Sequence, residues 1–169
     1  MVAQFFQIFI TLLIVIDPIG LVPLFISATA QMTEQERAKT MKQSIRVAAV
    51  VMLVFITAGR FILSLLGISV GAFYLAGGAL FFLISIDMLF GQPKRAKLSP
   101  EEAAEDYAAV AVFPLAIPMI SGPGTITTLI MFSSNSSSYL LSIAMLVGAV
   151  LLILILAFLA MKSSGLILK

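Results

Sequence analysis

Ile16-Asp17-Pro18-Ile19-Gly20-Leu21-Val22-Pro23 lies in the middle of the chain's first apolar run. An acid at such depth in a bilayer costs roughly 2.5 to 3.5 kcal/mol on insertion scales, and Pro18 removes a backbone donor where no water can replace it. A span carrying both is tolerable only where the helix breaks and the freed polar groups face protein, solute or water. The stretch therefore predicts a discontinuous membrane helix, with Asp17 buried at the break.

The surrounding composition agrees with a bilayer setting. Of 169 residues, 61% are hydrophobic and 11% charged, with mean hydropathy +1.16, against about 25% charged in an ordinary soluble domain. Net charge is only +2, so no nucleic-acid surface is expected, and the basic residues read as a topology signal. Cys, His and Trp are absent, which excludes disulfides, thiolate nucleophiles, imidazole bases and His or Cys metal sites. Met1 to Ile16 lacks a basic leader and a small-residue cleavage pattern, so it is expected to begin the first span. No enzyme is predicted: an aspartyl pair of Asp17 and Asp87 would join mid-membrane to the inner interface, too far apart to share a water.

A bilayer core needs about 20 apolar residues of helix. Five runs qualify, near residues 4 to 27, 44 to 66, 70 to 90, 108 to 132 and 139 to 161. Between the first two, Thr33 and Glu36 have the spacing of a capping box for a short interfacial helix, with a solvated linker as the alternative. Leu66-Gly67-Ile68-Ser69 allows only a tight turn, so spans two and three are expected to be antiparallel neighbours. Gly71, Ala72, Ala76, Gly77, Gly78 and Ala79 give span three a small-residue face for close helix packing. Arg60 is expected to snorkel to the outer interface, and Asp87 to pair with Lys94 or Arg95.

Basic residues gather after span one (Arg37, Lys39, Lys42, Arg46), after span three (Lys94, Arg95, Lys97) and after span five (Lys162, Lys169). The other loops have none. The positive-inside rule then puts the N-terminus outside and these three segments in the cytoplasm of an inner, or plasma, membrane.

Five of the seven prolines, Pro18, Pro23, Pro114, Pro118 and Pro123, fall in spans one and four. Pro18 and Pro23 superpose on Pro118 and Pro123, or alternatively Asp17-Pro18 superposes on Gly122-Pro123. Either alignment makes span four a second copy of span one running the opposite way. The predicted class is thus an all-α polytopic membrane protein built as an inverted-topology repeat of three-helix units, with helices 1 and 4 broken. The divisions are 1–90, a first three-helix repeat; 91–107, a polar cytoplasmic linker; and 108–169, a second repeat with two helices. A complete repeat would need a sixth helix starting near residue 170, absent from this chain.

Asp17-Pro18-Ile19-Gly20 with Pro23, Leu66-Gly67-Ile68-Ser69 leading into Leu75-Ala76-Gly77-Gly78, Phe113-Pro114-Leu115-Ala116-Ile117-Pro118 and Ser121-Gly122-Pro123-Gly124-Thr125-Ile126 together resemble the MarC family of bacterial and archaeal inner-membrane proteins. That resemblance implies six spans and secondary transport, by export or exchange, of small neutral amino acids of the alanine, glycine, serine and threonine class. A channel, or a structural membrane subunit without carrier activity, is the alternative, although no span shows a ring of charge or a sustained polar face.

A broken helix exposes N–H groups where its second half starts and carbonyls where its first half ends, and a zwitterionic amino acid needs both. The expected substrate-binding residues are Asp17, Pro18, Gly20, Ser121, Gly122, Pro123, Gly124 and Thr125. Helix starts at Gly20 and at Gly124-Thr125 would take the carboxylate. Asp17 with carbonyls near Ile16 and Ile120 would take the ammonium or a coupling cation, H+ or Na+; no other cofactor and no metal are expected. Thr11, Ser121, Thr125 and Thr128 would add hydroxyl contacts. Beyond the amino acid, the expected partner is the lipid bilayer, and a homo-oligomer is compatible with the sequence.

Overall fold

The computed structural model describes residues 2–89, 107–134 and 139–167, so the linker expected at 91–107 lies outside the described residues except for Tyr107, as do Lys94, Arg95 and the side chain of Asp87. Among the described residues the chain is helical throughout: α1 (Val2–Ile16), α2 (Pro18–Ala28), α3 (Glu34–Leu65), α4 (Val70–Leu89), the single turn α5 (Tyr107–Val110), a distorted π-type segment Ala111–Ile120, α6 (Pro123–Ser134) and α7 (Tyr139–Ile167). Val2–Ala28, Glu34–Leu65 and Leu140–Ser164 are each long and apolar enough to cross a membrane, and Ala108–Ile120 with Pro123–Ser133, bent by 52°, has the length and composition of a fourth, broken span or of a re-entrant loop. With its 20 residues, α4 is about 30 Å long, one bilayer core.

Helix α7 is the centre of the bundle, packing against α1, α2, α3 and α6. Its buried stripe of Met145, Leu146, Ala149, Val150, Ile153, Leu154, Ala157 and Met161 follows the three- and four-residue spacing of one helix face. The opposite side leaves Leu151, Leu152, Ile155 and Leu159 exposed. Likewise α1 buries Ile8, Leu12 and Ile16 and exposes Phe6, Ile10 and Ile14. Outward apolar faces of this kind would be unstable in water and are what a lipid-solvated bundle requires.

The sequence between Gln31 and Thr40 does not form a separate interfacial helix. Thr33 caps α3 with a complete capping box: its hydroxyl accepts the Glu36 N–H at 3.4 Å, and the Glu36 carboxylate accepts the Thr33 N–H at 2.9 Å. Nothing after that cap breaks the helix, so the polar turns continue into the membrane span as one 32-residue helix of about 48 Å. That is about 18 Å longer than the hydrocarbon core, and the first turn projects beyond it. There the Thr33 hydrogen bonds hold the Glu36 carboxyl below its usual range.

The turn motif Leu66-Gly67-Ile68-Ser69 is fully explained by its hydrogen bonds. Gly67, at φ 67°, donates to the Ser64 carbonyl at 3.1 Å, and Ile68 donates to that of Leu63 at 2.9 Å, a Schellman closure of α3. Ser69 then accepts the Ala72 N–H at 3.1 Å and starts α4. Although the turn is tight, α4 does not lie along α3; among the described residues it packs on α6. Gly77 sets that contact, because a Cβ there would overlap the Thr127 hydroxyl. The expected small-residue packing is therefore real, against α6, whereas the expected pairing of α4 with α3 is not, since turn length constrains only where α4 begins.

Candidate functional site

Both broken spans restart with proline in the first helical position, Pro18 in α2 and Pro123 in α6. Missing its N–H, proline gives up nothing there, because the first turn has no acceptor for it. This shared register matches Asp17-Pro18 with Gly122-Pro123, and it places the helix starts two residues ahead of Gly20 and one ahead of Gly124. Since α1 packs on α6 and α2 on Ala111–Ile120, the first half of each span meets the second half of the other. The two broken spans run antiparallel.

At the first break Asp17 adopts a left-handed conformation, φ 44° and ψ 73°, one of the few side chains that tolerates it. Its N–H still reaches the Leu13 carbonyl at 3.1 Å, and its own carbonyl accepts from Leu21 at 3.0 Å. The carboxylate accepts the Gly20 N–H at 3.1 Å and caps α2. Two expectations are thereby corrected. Asp17 is exposed rather than buried, because the α1 core face runs through Ile8, Leu12 and Ile16 and the next residue turns away from it. Nor is the Gly20 N–H open to a substrate carboxylate, since the chain's own carboxylate holds it.

The second break differs. Phe113 and Ile117 are extended (φ −127° and −128°), the conformation that a following proline imposes. Ser121 is fully buried; its N–H and its hydroxyl both donate to the Ala116 carbonyl at 2.8 Å. Gly122 is required, because any Cβ would collide with the Pro118 carbonyl oxygen. The Thr125 hydroxyl donates to the Ile120 carbonyl at 3.0 Å and that of Thr128 to the Gly124 carbonyl at 2.9 Å. No side chain caps the Gly124 or Thr125 N–H groups among the described residues, because the residue in the position of Asp17 is glycine.

The two breaks thus present different polarity. Ile14, Val15 and Ile16 carbonyls receive no N–H from across the first break, and those of Ile117, Pro118 and Met119 receive none from across the second. The Ile120 carbonyl, expected to face a cation, is occupied by Thr125. Ser121, Thr125 and Thr128 have already donated their only hydroxyl proton, so toward a ligand they can act only as acceptors. Thr11 does the same with the Gln7 carbonyl at 2.8 Å.

The placement of two polar side chains escaped the sequence reading. Among the described residues the Thr127 hydroxyl oxygen is buried without a hydrogen-bond partner at the Gly77 notch. Arg37 reaches back from α3 to the Thr29 carbonyl at 3.2 Å, at the C-terminal cap of α2, where a cation offsets the negative helix end. Neither partner is close in a helical periodicity, so sequence spacing carries no signal for them.

Broken apolar spans in antiparallel contact, with unpaired backbone groups at the breaks, define a polytopic α-helical membrane protein of the discontinuous-helix class. The MarC family integral membrane protein model matches residues 2–169, and the chain belongs to that family. It is 41% identical over 154 residues to UPF0056 membrane protein MJ0972 of Methanocaldococcus jannaschii, covering 85% of this chain and 68% of that protein. A UPF0056 membrane protein of Archaeoglobus fulgidus is 35% identical over 148 residues, 87% of this chain and 70% of its own. UPF0056 membrane protein YhcE of Escherichia coli is 34% identical over 140 residues, 80% of this chain and 65% of its own. The chain therefore spans about two thirds of the length of these relatives. No solved structure matches it.

Proposed function

We propose that the protein is a secondary carrier of small neutral amino acids in the inner membrane, with its N-terminus outside and its basic loops cytoplasmic. The observation that carries this reading is the antiparallel contact of two broken spans, one restarting at a capped helix end and the other at an uncapped one. Uncapped N–H groups of Gly124 and Thr125 suit a carboxylate. Open carbonyls at Ile14 to Ile16 and Ile117 to Met119, together with the acceptor-only hydroxyls of Ser121 and Thr125, suit an ammonium group or a coupling cation. Glycine at 122 and 124 leaves little beyond backbone around them, which favours a small substrate side chain.

Proteoliposome flux of labelled alanine, driven by an alanine gradient, tests the reading. Saturable counterflow that glycine or serine competes for is the expected result. Linear, unsaturable flux with single-channel currents would favour a pore, and no flux alongside retained fold would favour a structural subunit.

A further inference from the structure

Lys39, Lys42 and Arg46 follow one another at spacings of three and four residues along α3 and are all exposed, so they form a single stripe. The stripe lies opposite the buried face of Met41, Ser44, Ala48 and Met52. Continuing in the same register, it changes abruptly in character: Val50, Leu53 and Val54 are 61%, 42% and 43% exposed. From Arg46 to the end of α3 at Leu65 the helix covers about 30 Å, one hydrocarbon core, and Lys39 to Arg46 rise a further ~10 Å beyond it. The basic stripe therefore occupies headgroup depth directly above an acyl-chain surface. The two acids of this end, Glu34 and Glu36, sit in the first helical turn, where they offset the positive helix end; Glu36 is held by Thr33 and also attracts Lys39, which leaves Lys42 and Arg46 as the main headgroup contacts.

We propose that this face of α3 is a binding surface for anionic phospholipid, with Lys39, Lys42 and Arg46 on the phosphate-bearing headgroup and Val50, Leu53 and Val54 along the acyl chains. Charge complementarity selects the headgroup, and the continuous basic-to-apolar register selects a lipid over a soluble anion. A basic side chain at headgroup depth strengthens attraction to anionic lipid several-fold, so three on one face discriminate strongly against zwitterionic lipid.

The chain contains no tryptophan, so one introduced indole reports alone. Val50→Trp protein is reconstituted into vesicles holding either dibrominated phosphatidylglycerol or dibrominated phosphatidylcholine, and fluorescence quenching is followed against mole fraction. Half-quenching by the phosphatidylglycerol at an at least fivefold lower mole fraction is expected. That ratio falls to about one in Val50→Trp with Lys42→Gln and Arg46→Gln, and in 0.5 M NaCl by Debye screening. A Leu140→Trp reporter, on a face without basic residues nearby in sequence, gives equal quenching by the two lipids. Equal quenching at Val50→Trp, or a preference that survives both the double substitution and the salt, overturns the proposal. Should the double variant fail to reconstitute, the salt titration of the single reporter decides alone.

Discussion

The Asp17 carboxylate accepts the Gly20 N–H at 3.1 Å while its backbone holds a left-handed turn at φ 44°. One residue both breaks the first span and starts its second half. Its counterpart position, Gly122, breaks the fourth span without providing a cap. The two sides of the candidate site are therefore chemically unequal.

Asp17→Asn keeps both the acceptor oxygen and the tolerance for a left-handed backbone, so its thermal midpoint in detergent should stay close to the parent's. Asp17→Ala loses both and should cost about 1 to 3 kcal/mol. Alanine binding by isothermal titration then separates the roles. If Asp17 acts only as a cap, the Asn variant binds like the parent; a tenfold or greater loss in a folded Asn variant would assign the charge to the ligand.

Gly122→Ala drives a Cβ into the Pro118 carbonyl, and backbone atoms there have little freedom to yield. A loss of about 1 to 3 kcal/mol is expected, with alanine counterflow falling further than stability because the 121–123 turn itself moves. Gly78→Ala, where a Cβ meets nothing within 4 Å, serves as the control and should melt and transport normally.

Gly77→Ala should separate α4 from α6 by colliding with the Thr127 hydroxyl, at a cost of roughly 1 to 3 kcal/mol. Thr127→Ala alone removes a hydroxyl that has no partner among the described residues and should be nearly neutral. Combined, the two substitutions should recover most of the loss, so a double-mutant cycle of melting free energies shows a clear coupling term. Additive losses would mean that the helices do not meet through these residues.

Thr33→Ala removes the α3 cap and should cost about 1 kcal/mol, visible as faster amide exchange from Glu34 to Ala38. The capping box is also acid-sensitive. Because folding lowers the Glu36 pKa from its ordinary 4.5, its contribution is present above that value and disappears as pH falls through the lower folded value. Protection factors at this helix end, which correct for the intrinsic slowing of amide exchange in acid, should therefore fall below about pH 4.5 in the parent and show no such step in Glu36→Gln.

Much of the architecture is legible in the sequence because local rules govern it. Apolar runs of bilayer length identify the spans, Thr33 with Glu36 marks a helix start, although of α3 rather than of a short interfacial helix, and Leu66-Gly67-Ile68-Ser69 marks a tight turn. Pro18 and Pro123 locate both breaks to within two residues, since proline has only one comfortable place in a helix. The continuity of α3 through its polar first turns was less visible, because charged residues are as compatible with a solvated helix as with a linker.

Only the tertiary structure decided what each element faces. Whether α4 lies on α3 or α6 depends on a notch at Gly77 filled by a residue some fifty positions away, and no periodicity records that pairing. That Asp17 points away from the core, that its carboxylate occupies the Gly20 donor, and that Ser121 and Thr125 have already committed their protons likewise follow from hydrogen bonds formed after the helices bend. The sequence determined where the chain must break, because missing donors and a mid-span acid are local facts. The fold decided which of the freed groups were satisfied, because satisfaction depends on geometry across the break.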